Sequence, residues 1–293
     1  MDRFLLGRPD LSGQPLRVVI REWASTRSGP QQILECHLTA RSLSRALSRK
    51  DPTTQKIPWE KRIKQEAHQR HRRPYIFNER EIQCLLATAL SLPSPPSPLR
   101  PHTAYRMLVL AYCSGLRIGE IVRLNVGDLD VCDGIDIRST KFFKSRRLPL
   151  SRSVVAALQS YLKARQQAGA PTSPDTALFW HSRRSGRYSY STTRQLLVRI
   201  LRRAGLKPAS GRTGARIHDL RHAFVLNRLL AWYREGINPQ SRLPYLATYL
   251  GHKDINSTLA YLTIIQELLQ QASERFRIRG AQVLRAWAEG PNT

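Results

Sequence analysis

The chain has 293 residues, 41% of them hydrophobic, which is enough for one large domain or two domains with a full core. It carries 48 Lys and Arg against 21 Asp and Glu, a formal net charge of +27, which favours a polyanionic partner such as DNA or RNA. No apolar run approaches the roughly 20 residues that cross a bilayer, and the N-terminus lacks a signal peptide, so we expect a cytoplasmic protein without membrane contact. On charge alone, a ribosomal or other RNA-binding protein fits equally well.

The first part of the chain is polar and basic, with weak helical signals near Ile33–Leu47. The run KRIKQEAHQRHRRP (61–74) is highly charged and ends in proline, a pattern typical of a solvated linker. We therefore place a domain boundary here and predict two domains, 1–72 and 73–293.

The second domain begins with strong helix signals. Asn78 is a plausible N-cap and Glu81 follows it at capping-box spacing, ahead of apolar residues at helical intervals. The stretch 91–101 contains five prolines and predicts a loop. A further helix is predicted from about Thr103 to Ser114, ended by Gly115.

Residues 134–150 alternate between apolar and polar on either side of a basic turn, which predicts two strands of a hairpin. After them the helical pattern returns, with predicted helices at 151–165, 192–204, 217–233, 243–250 and 257–273. The fold class expected is mostly α with a small antiparallel β-sheet (α+β).

Three groups of polar residues stand at the edges of these elements. Arg117 follows the break at Gly115 and would face the unpaired N–H groups of a new helix, although a surface arginine paired with Glu120 is the simpler interpretation. His218 and Arg221 are three residues apart and would share a helix face, where they could bind a phosphate oxygen or be ordinary surface charges.

The third group begins with Leu250-Gly251-His252, where glycine predicts a helix end. Tyr261 follows nine residues after His252 in an apolar run, where tyrosine is most often a core residue. The four cysteines form no CxxC pair and stand at no zinc-ligand spacing, so we predict no metal site; Cys84 and Cys113 lie in apolar periodic segments and are predicted to be core thiols.

The order Arg, Lys in a β-turn, His-x-x-Arg, Leu-Gly-His and Tyr resembles the catalytic domain of the tyrosine recombinase family, which includes the phage integrases and the Xer and Cre types. The resemblance extends from about Arg73 to Thr263. The matching stretches are GLRIGEIVRLNVGDLD (115–130), IRSTKFFKSRRLPL (137–150), HDLRHAF (218–224) and LGHKDINSTLAYL (250–262).

The resemblance implies a role for each matching residue. Arg117 and Arg221 would clamp the scissile phosphate, and Tyr261 would be the nucleophile. Lys141 would protonate the leaving 5′ oxygen, with Lys144 as its rival. The remaining implied roles belong to His218 and His252, which would hydrogen-bond the phosphate and assist proton transfer, and to Glu120 and His222, which would orient Arg117 and the helix bearing Arg221.

The resemblance also implies the activity of the chain: a site-specific recombinase or integrase that cleaves and rejoins DNA through a 3′-phosphotyrosyl intermediate, without a cofactor, for integration or transposition of a bacterial mobile element. Residues 1–72 would be a small, divergent or truncated helical DNA-binding domain, and 73–293 the catalytic domain with a C-terminal docking segment. Double-stranded DNA, further copies of the chain in a tetramer and other recombinase subunits are the implied partners, at the nucleoid. A type IB topoisomerase and a catalytically inactive DNA-binding relative are the alternatives.

Two features depart from the family pattern. The segment between Arg221 and His252 is longer than in compact members, and the surplus at 231–245 predicts an extra helical turn or a loop. Residues 1–72 are also shorter and less clearly helical than the family's DNA-clamping domain.

Overall fold

A computed structural model of the protein describes residues 2–69, 74–94, 97–130, 134–138, 145–181, 186–252, 258–259 and 261–262. The chain divides into two compact units, Met1–Arg73 and Pro74–Thr293. Among the helices described, none is both long enough and apolar enough to span a lipid bilayer.

The first unit is built from helices. They are α1 (Asp2–Leu6), a 3-10 turn (Pro9–Leu11), α2 (Leu16–Ser25), α3 (Pro30–Lys50) and α4 (Lys61–Gln69). Helix α3 packs against both α2 and α4, and a small core of Ile20, Ala40 and Ile57 lies among them. The guanidinium of Arg41 lies over the ring of Trp59 at 4.9 Å, which ties the segment before α4 to α3.

The prediction of a linker over 61–74 is wrong for its first nine residues, which form α4. The high charge of this segment suggested a linker, but the charges belong to the solvent-facing side of an amphipathic helix. Ala67 is buried, while Lys61 and Arg62 in the first turn of the same helix face solvent.

The second unit is mostly helical with a small antiparallel sheet, which confirms the predicted fold class. Its helices are α5 (Glu79–Leu90), α6 (Leu99–Cys113), α7 (Ile118–Ile121), α8 (Arg152–Gln167), α9 (Tyr190–Arg203), α10 (Asp219–Arg234) and α11 (Pro239–Leu250). Its strands are β1 (Leu129–Asp130), β2 (Gly134–Ile137), β3 (Arg146–Pro149), β4 (Trp180–His181) and β5 (Gly186–Arg187).

The starts of α5 and α6 show where local signals decide the fold. At α5 the predicted capping box is confirmed: Glu81 N–H donates to the Asn78 side chain at 2.9 Å, and Asn78 N–H donates to the Glu81 carboxylate at 2.8 Å. Helix α6 begins at Leu99, earlier than predicted, so Pro101 lies in its first turn. A proline is tolerated there because the first N–H groups of a helix have no intrahelical acceptor.

The sheet has the order β1-β2-β3, and the predicted hairpin is confirmed by the antiparallel pairing of β2 with β3, with Ile135 opposite Leu148. Both of these side chains are buried. The short strand β1 and the separate β4–β5 hairpin were not predicted, since two-residue strands leave no periodicity to detect.

Helix α6 is central to the second unit and packs against α5, α8 and α10. A smaller apolar cluster lies between α10 and α11 and includes Phe224, Leu250 and Tyr261. The surplus segment 231–245 is accounted for by α10 running to Arg234 and α11 beginning at Pro239. The prediction of Cys84 and Cys113 as core thiols is wrong, since both are exposed; of the three cysteines in the described ranges, Cys36 is the buried one.

Candidate active site

The chain turn after α6 places the first arginine of the site. Gly115 has a φ of +63°, and a Cβ there would lie 2.5 Å from Cδ1 of Phe224, so only glycine fits. Two residues later Arg117 is the N-cap of α7, and its backbone N–H donates to the Glu120 carboxylate at 3.0 Å. The predicted helix start at this residue is confirmed.

Glu120 is a buried carboxylate between two arginines. It accepts a hydrogen bond from Nη1 of Arg117 at 3.1 Å and another from Nη2 of Arg146 at 3.1 Å. Burial alone would raise the pKa of Glu120, but the hydrogen bond and charge of Arg146, together with those of Arg117, outweigh it and hold the pKa below its ordinary value. One negative charge therefore faces two guanidiniums, which leaves this side of the site positively charged.

The second arginine of the site, Arg221, lies on α10 and is 2% exposed. Its Nη1 donates to the Gly115 carbonyl at 2.6 Å and its Nη2 to the Leu250 carbonyl at 2.8 Å. Burial, followed by the charge of Arg117, lowers the pKa of Arg221 to about 10, so the group is still protonated at neutral pH.

The two arginines meet at the end of α11. Nη1 of Arg117 also donates to the Leu250 carbonyl, at 3.3 Å, so this oxygen receives both guanidiniums. The last carbonyls of a helix lack intrahelical partners and carry its negative dipole end, which suits a pair of cations. The sequence predicted that Arg117 and Arg221 would share a site, and the structure brings them together.

Two histidines lie at the start of α10 beside these arginines, His218 as its N-cap and His222 in its first turn. The rings of His218 and His222 pack edge to face, with centroids 4.8 Å apart. His218 is exposed to solvent, yet the protein atoms around its ring, followed by the charges of Arg221 and Arg117, lower its pKa to about 4. Burial and then His218 lower the pKa of His222 to about 4 as well, so both imidazoles are neutral at pH 7.

Tyr261 lies against His222 and is 5% exposed. Its hydroxyl is 2.7 Å from Nδ1 of His222, a hydrogen-bond distance. Burial raises the pKa of Tyr261, and the positive charges of Arg221 and Arg117 oppose that effect. We had expected His222 to orient the helix bearing Arg221, whereas its side chain holds the hydroxyl of the predicted nucleophile.

His252 lies just after the C-terminal end of α11. Gly251 ends α11 in the left-handed conformation, with a φ of +64°, and a Cβ there would meet Nη1 of Arg146 at 2.8 Å. His252 follows and pairs through Nδ1 with the hydroxyl of Thr258 at 2.7 Å. It is therefore placed next to the Gly251 carbonyl that Nη2 of Arg117 approaches at 3.5 Å, and it is joined to the segment that bears Tyr261.

Lys141 and the alternative candidate Lys144 lie outside the described residues, so the lysine of the site stays a prediction.

Two contacts of the site were not predicted from the sequence. Arg146, in β3, donates to Glu120 and also to the Tyr249 carbonyl at 2.9 Å, and its signal was the arginine pair after the basic turn. Asp219 is fully buried and binds the Arg216 guanidinium at 2.8 Å, which fixes the start of α10 beside His218.

The site combines cations, neutral imidazoles and a phenol. Guanidiniums offer planar forks of donors to phosphate oxygens and do not lose their protons near neutral pH. Within the described ranges, no group of three His, Cys, Asp or Glu side chains is arranged to hold a metal ion. The arrangement offers cationic donors for a phosphodiester next to a tyrosine hydroxyl.

Comparison with known proteins places this site in a family. The model of the phage integrase family matches residues 76–267. A candidate integrase/recombinase of Sinorhizobium fredii, y4rB, is 38% identical over 210 residues, which is 71% of this chain and 67% of that protein. The chain thus spans about two thirds of the length of this relative.

Solved structures share the fold. The XerH site-specific recombinase bound to a palindromic difH substrate, in a post-cleavage complex, aligns with a TM-score of 0.62 at 17% identity, over 91% of this chain and 74% of that chain. The Tn1549 transposon integrase in complex with circular intermediate DNA aligns with a TM-score of 0.59 at 17% identity, over 83% and 80%. The family model covers most of the chain, and we conclude that this protein is a tyrosine recombinase of the phage integrase family.

Proposed function

We propose that this protein cleaves and rejoins double-stranded DNA at specific sites, with Tyr261 as the nucleophile. The observation that carries the proposal is the convergence of Arg117 and Arg221 on one carbonyl, beside the helix whose His222 holds the Tyr261 hydroxyl. Attack of the phenol on a phosphodiester gives a 3′-phosphotyrosyl intermediate and a free 5′ hydroxyl. Attack of that hydroxyl, or of one from another strand, reverses the step.

The two arginines bind the non-bridging oxygens of the scissile phosphate. Charge accumulates on those oxygens during attack, and prearranged donors of this kind are worth roughly 3 kcal/mol each in other enzymes. His218 and His252 hydrogen-bond the phosphate and assist proton transfer, and Lys141 protonates the leaving 5′ oxygen. The covalent intermediate conserves the energy of the phosphodiester, so rejoining needs neither ATP nor another cofactor.

The proposed biological role is integration or transposition of a bacterial mobile element at the nucleoid. The XerH recombinase and the Tn1549 integrase were solved as DNA complexes, and a formal net charge of +27 suits a DNA partner. The first unit would contact DNA as a small helical binding domain. Copies of the chain, and other recombinase subunits, would pair two sites in a tetramer, held through the segment after Tyr261.

The test is incubation with duplex DNA carrying the sequences that flank the protein's own gene, nicked close to the expected cleavage site so that the released fragment diffuses away. A denaturing gel then detects a covalent protein–DNA adduct. We expect an adduct with the unmodified protein and none with Tyr261→Phe, which keeps the ring and removes the attacking oxygen. Tyr245→Phe is the matched control, because Tyr245 is an exposed tyrosine of α11, and it should leave adduct formation unchanged.

The outcomes separate the alternatives. Adduct formation by Tyr261→Phe at the parental rate would overturn the assignment of the nucleophile. Relaxation of any supercoiled plasmid, without preference for the flanking sequences, would indicate a type IB topoisomerase. Binding of flanking DNA without any adduct would indicate an inactive relative.

A further inference from the structure

The hydrogen bond between Tyr261 and His222 places a possible proton acceptor at the hydroxyl of the proposed nucleophile. We propose that His222 is a catalytic residue, whose Nδ1 takes the proton of the Tyr261 hydroxyl as that oxygen attacks the scissile phosphate. The proposal rests on the proposed function and adds a proton acceptor that the family resemblance did not assign.

The geometry meets the first requirement for a general base. A base must lie within about 2.6–3.2 Å of the atom that it deprotonates, and Nδ1 of His222 is 2.7 Å from the phenol oxygen. The two rings are tilted by 45° with centroids 5.4 Å apart, so they approach through the edge that bears Nδ1 rather than by stacking. A phenol is a weak nucleophile near neutral pH and needs either a base or a lowered pKa.

The other two histidines of the site, His218 and His252, make different contacts. Nδ1 of His252 pairs with Thr258, and the ring of His218 packs on the ring of His222, where the charges of Arg221 and Arg117 act on it. The described contacts of His218 therefore suit an interaction with the phosphate that those arginines bind, whereas His222 contacts the reacting oxygen itself.

The protonation state of His222 permits it to accept a proton. The charged and titratable groups that face it are His218, Asp219, Arg216 and Arg221 along its own helix and the loop before it, and Tyr261 from the segment packed against α10. Together with burial they lower the pKa of His222, so the imidazole is neutral at pH 7. For Nδ1 to take the proton, the neutral ring must carry its own hydrogen on Nε2, so that Nδ1 presents its lone pair to the hydroxyl.

The proton has to leave Tyr261 during the attack and not before it. The pKa of Tyr261 is raised and that of His222 is about 4, so an isolated proton transfer between them is strongly uphill. As the oxygen–phosphorus bond forms, the phenol oxygen becomes acidic and its proton passes to His222. The bond from phosphorus to the 5′ oxygen breaks, and that oxygen takes a proton from Lys141. On rejoining, His222 returns its proton to the departing phenol.

The position of His222 in the chain holds this base close to the arginines that bind the phosphate. It follows Arg221 directly on α10, and Arg221 is anchored by two backbone carbonyls. Since Tyr261 is 5% exposed, DNA must open this region before a phosphate can reach the hydroxyl. If the hydrogen bond survives that opening, His222 assists the attack; if the bond has to break first, it is a lock, and its removal would accelerate cleavage.

The experiment measures single-turnover cleavage of the nicked substrate with protein in excess. His222→Asn places an amide oxygen near the position of Nδ1, so it can accept the hydrogen bond but cannot take the proton. We expect cleavage to slow by about 100-fold or more, within the usual range for general-base catalysis, with unchanged DNA binding. His222→Ala, which removes the hydrogen bond as well, should be at least as slow and serves if the Asn variant does not fold.

A second arm separates chemistry from structure. Replacing Tyr261 by 3-fluorotyrosine lowers the pKa of the phenol, and a more acidic nucleophile depends less on a base. The loss caused by His222→Asn should therefore shrink in the fluorotyrosine protein, whereas a purely structural defect would be the same in both. His102→Asn is the matched control, because His102 is exposed in the first turn of α6, about 20 Å along that helix from the site at its other end.

Three results would overturn the proposal: unchanged cleavage by His222→Asn, faster cleavage, which would identify a lock, or a loss that is equal with both nucleophiles. Failure of the proposed function is distinguishable from all three, because then the unmodified protein forms no adduct at all.

Discussion

The carbonyl oxygen of Leu250 is the point at which the charges of the site are organised. It receives Nη1 of Arg117 and Nη2 of Arg221, two groups that would repel each other without a shared acceptor. Arg146 completes the arrangement from β3 by binding Glu120, which in turn holds Arg117. A third arginine therefore acts on the first through one buried carboxylate.

This arrangement predicts a large effect for Arg146→Met. The side chain of Arg146 is 12% exposed, and its loss leaves Glu120 buried with Arg117 as its remaining ionic partner among the contacts described. Breaking a buried pair costs roughly 3 kcal/mol or more, so the free energy of unfolding measured in urea should fall by about that amount. Cleavage should slow as well, because Arg117 is less firmly held.

Arg147→Met is the matched control for that substitution. Arg147 is the next residue of β3, and it pairs with Asp130 on the surface, where both side chains are more than 40% exposed. Exposed pairs contribute below about 1 kcal/mol, so the control should lose little stability. Equal losses for the two variants would show that the Glu120 network does not stabilise the fold.

The histidine beside Tyr261 predicts a pH dependence of stability. The pKa of His222 is about 4 in the folded protein, against about 6.5 for an exposed histidine, so the unfolded chain binds a proton more readily between these values. The stability contributed by neutral His222 is complete above about pH 6.5 and is lost as the pH falls towards 4.

Urea unfolding at pH 7 and pH 5 tests this dependence. The loss of stability between the two pH values should be smaller in His222→Asn than in the unmodified protein, and unchanged in His102→Asn, whose site is exposed. It should not vanish in His222→Asn, because His218 also has a pKa near 4. An identical loss in all three proteins would contradict the environment described for His222.

At the scale of elements, the turn between α6 and α7 joins the two arginines. Gly115 supplies both the left-handed conformation of the turn and the carbonyl that Arg221 binds. Gly115→Ala should therefore destabilise the protein in two ways. Alanine in the left-handed region costs roughly 1–2 kcal/mol, and its Cβ must also displace the ring of Phe224, for about 1–3 kcal/mol more.

Gly205→Ala isolates the conformational part of that loss. Gly205 has a φ of +73°, close to that of Gly115, but a Cβ there meets nothing within 4 Å. Thermal unfolding should show a smaller loss for Gly205→Ala, and cleavage should fall for Gly115→Ala alone. Similar unfolding temperatures for the two variants would mean that Phe224 moves aside without cost.

Elements with local signals could be predicted from the sequence. The capping box of Asn78 and Glu81 and the alternation of Ile135 and Leu148 each lie within a few residues, and both gave the observed element. The α4 helix was mistaken for a linker because its charged residues hid a narrow apolar face. The start of α6 was predicted too late because Pro101 was read as a helix breaker. Proline interrupts the interior of a helix, but it is tolerated in the first turn, where Pro101 lies.

The order of residues along the chain selected Arg117, Arg221 and Tyr261 as site residues, and these three lie close together in the structure, but it did not predict their contacts. The Leu250 and Gly115 carbonyls that hold the arginines are backbone atoms, which no residue type marks. Likewise, nothing in HDLRHAF distinguishes a histidine that contacts the tyrosine from one that supports the helix, since that depends on how α10 meets residue 261.

At the scale of the whole molecule, the site depends on long-range contacts. Arg117 reaches a carbonyl 133 residues further along the chain, and Arg221 reaches one 106 residues back. Residues so distant in sequence come together only when α6, α10 and α11 have packed. We infer that the two arginines cannot form a phosphate site in a partly folded second unit, so their positive charge is concentrated only in the native state.

The overall charge predicts how strongly salt weakens DNA binding. Each phosphate contact contributes a slope of about −0.9 in the logarithm of the binding constant against the logarithm of salt concentration. A chain of formal net charge +27 should make at least about six such contacts, which corresponds to a slope of about −5 or steeper. Fluorescence anisotropy with labelled duplex at increasing salt measures the slope, and Tyr261→Phe prevents cleavage during the titration. Since that variant keeps every positive charge, its slope should equal that of the unmodified protein. A slope near about −1 or −2 would mean that most of the positive charge serves a purpose other than contact with the DNA backbone.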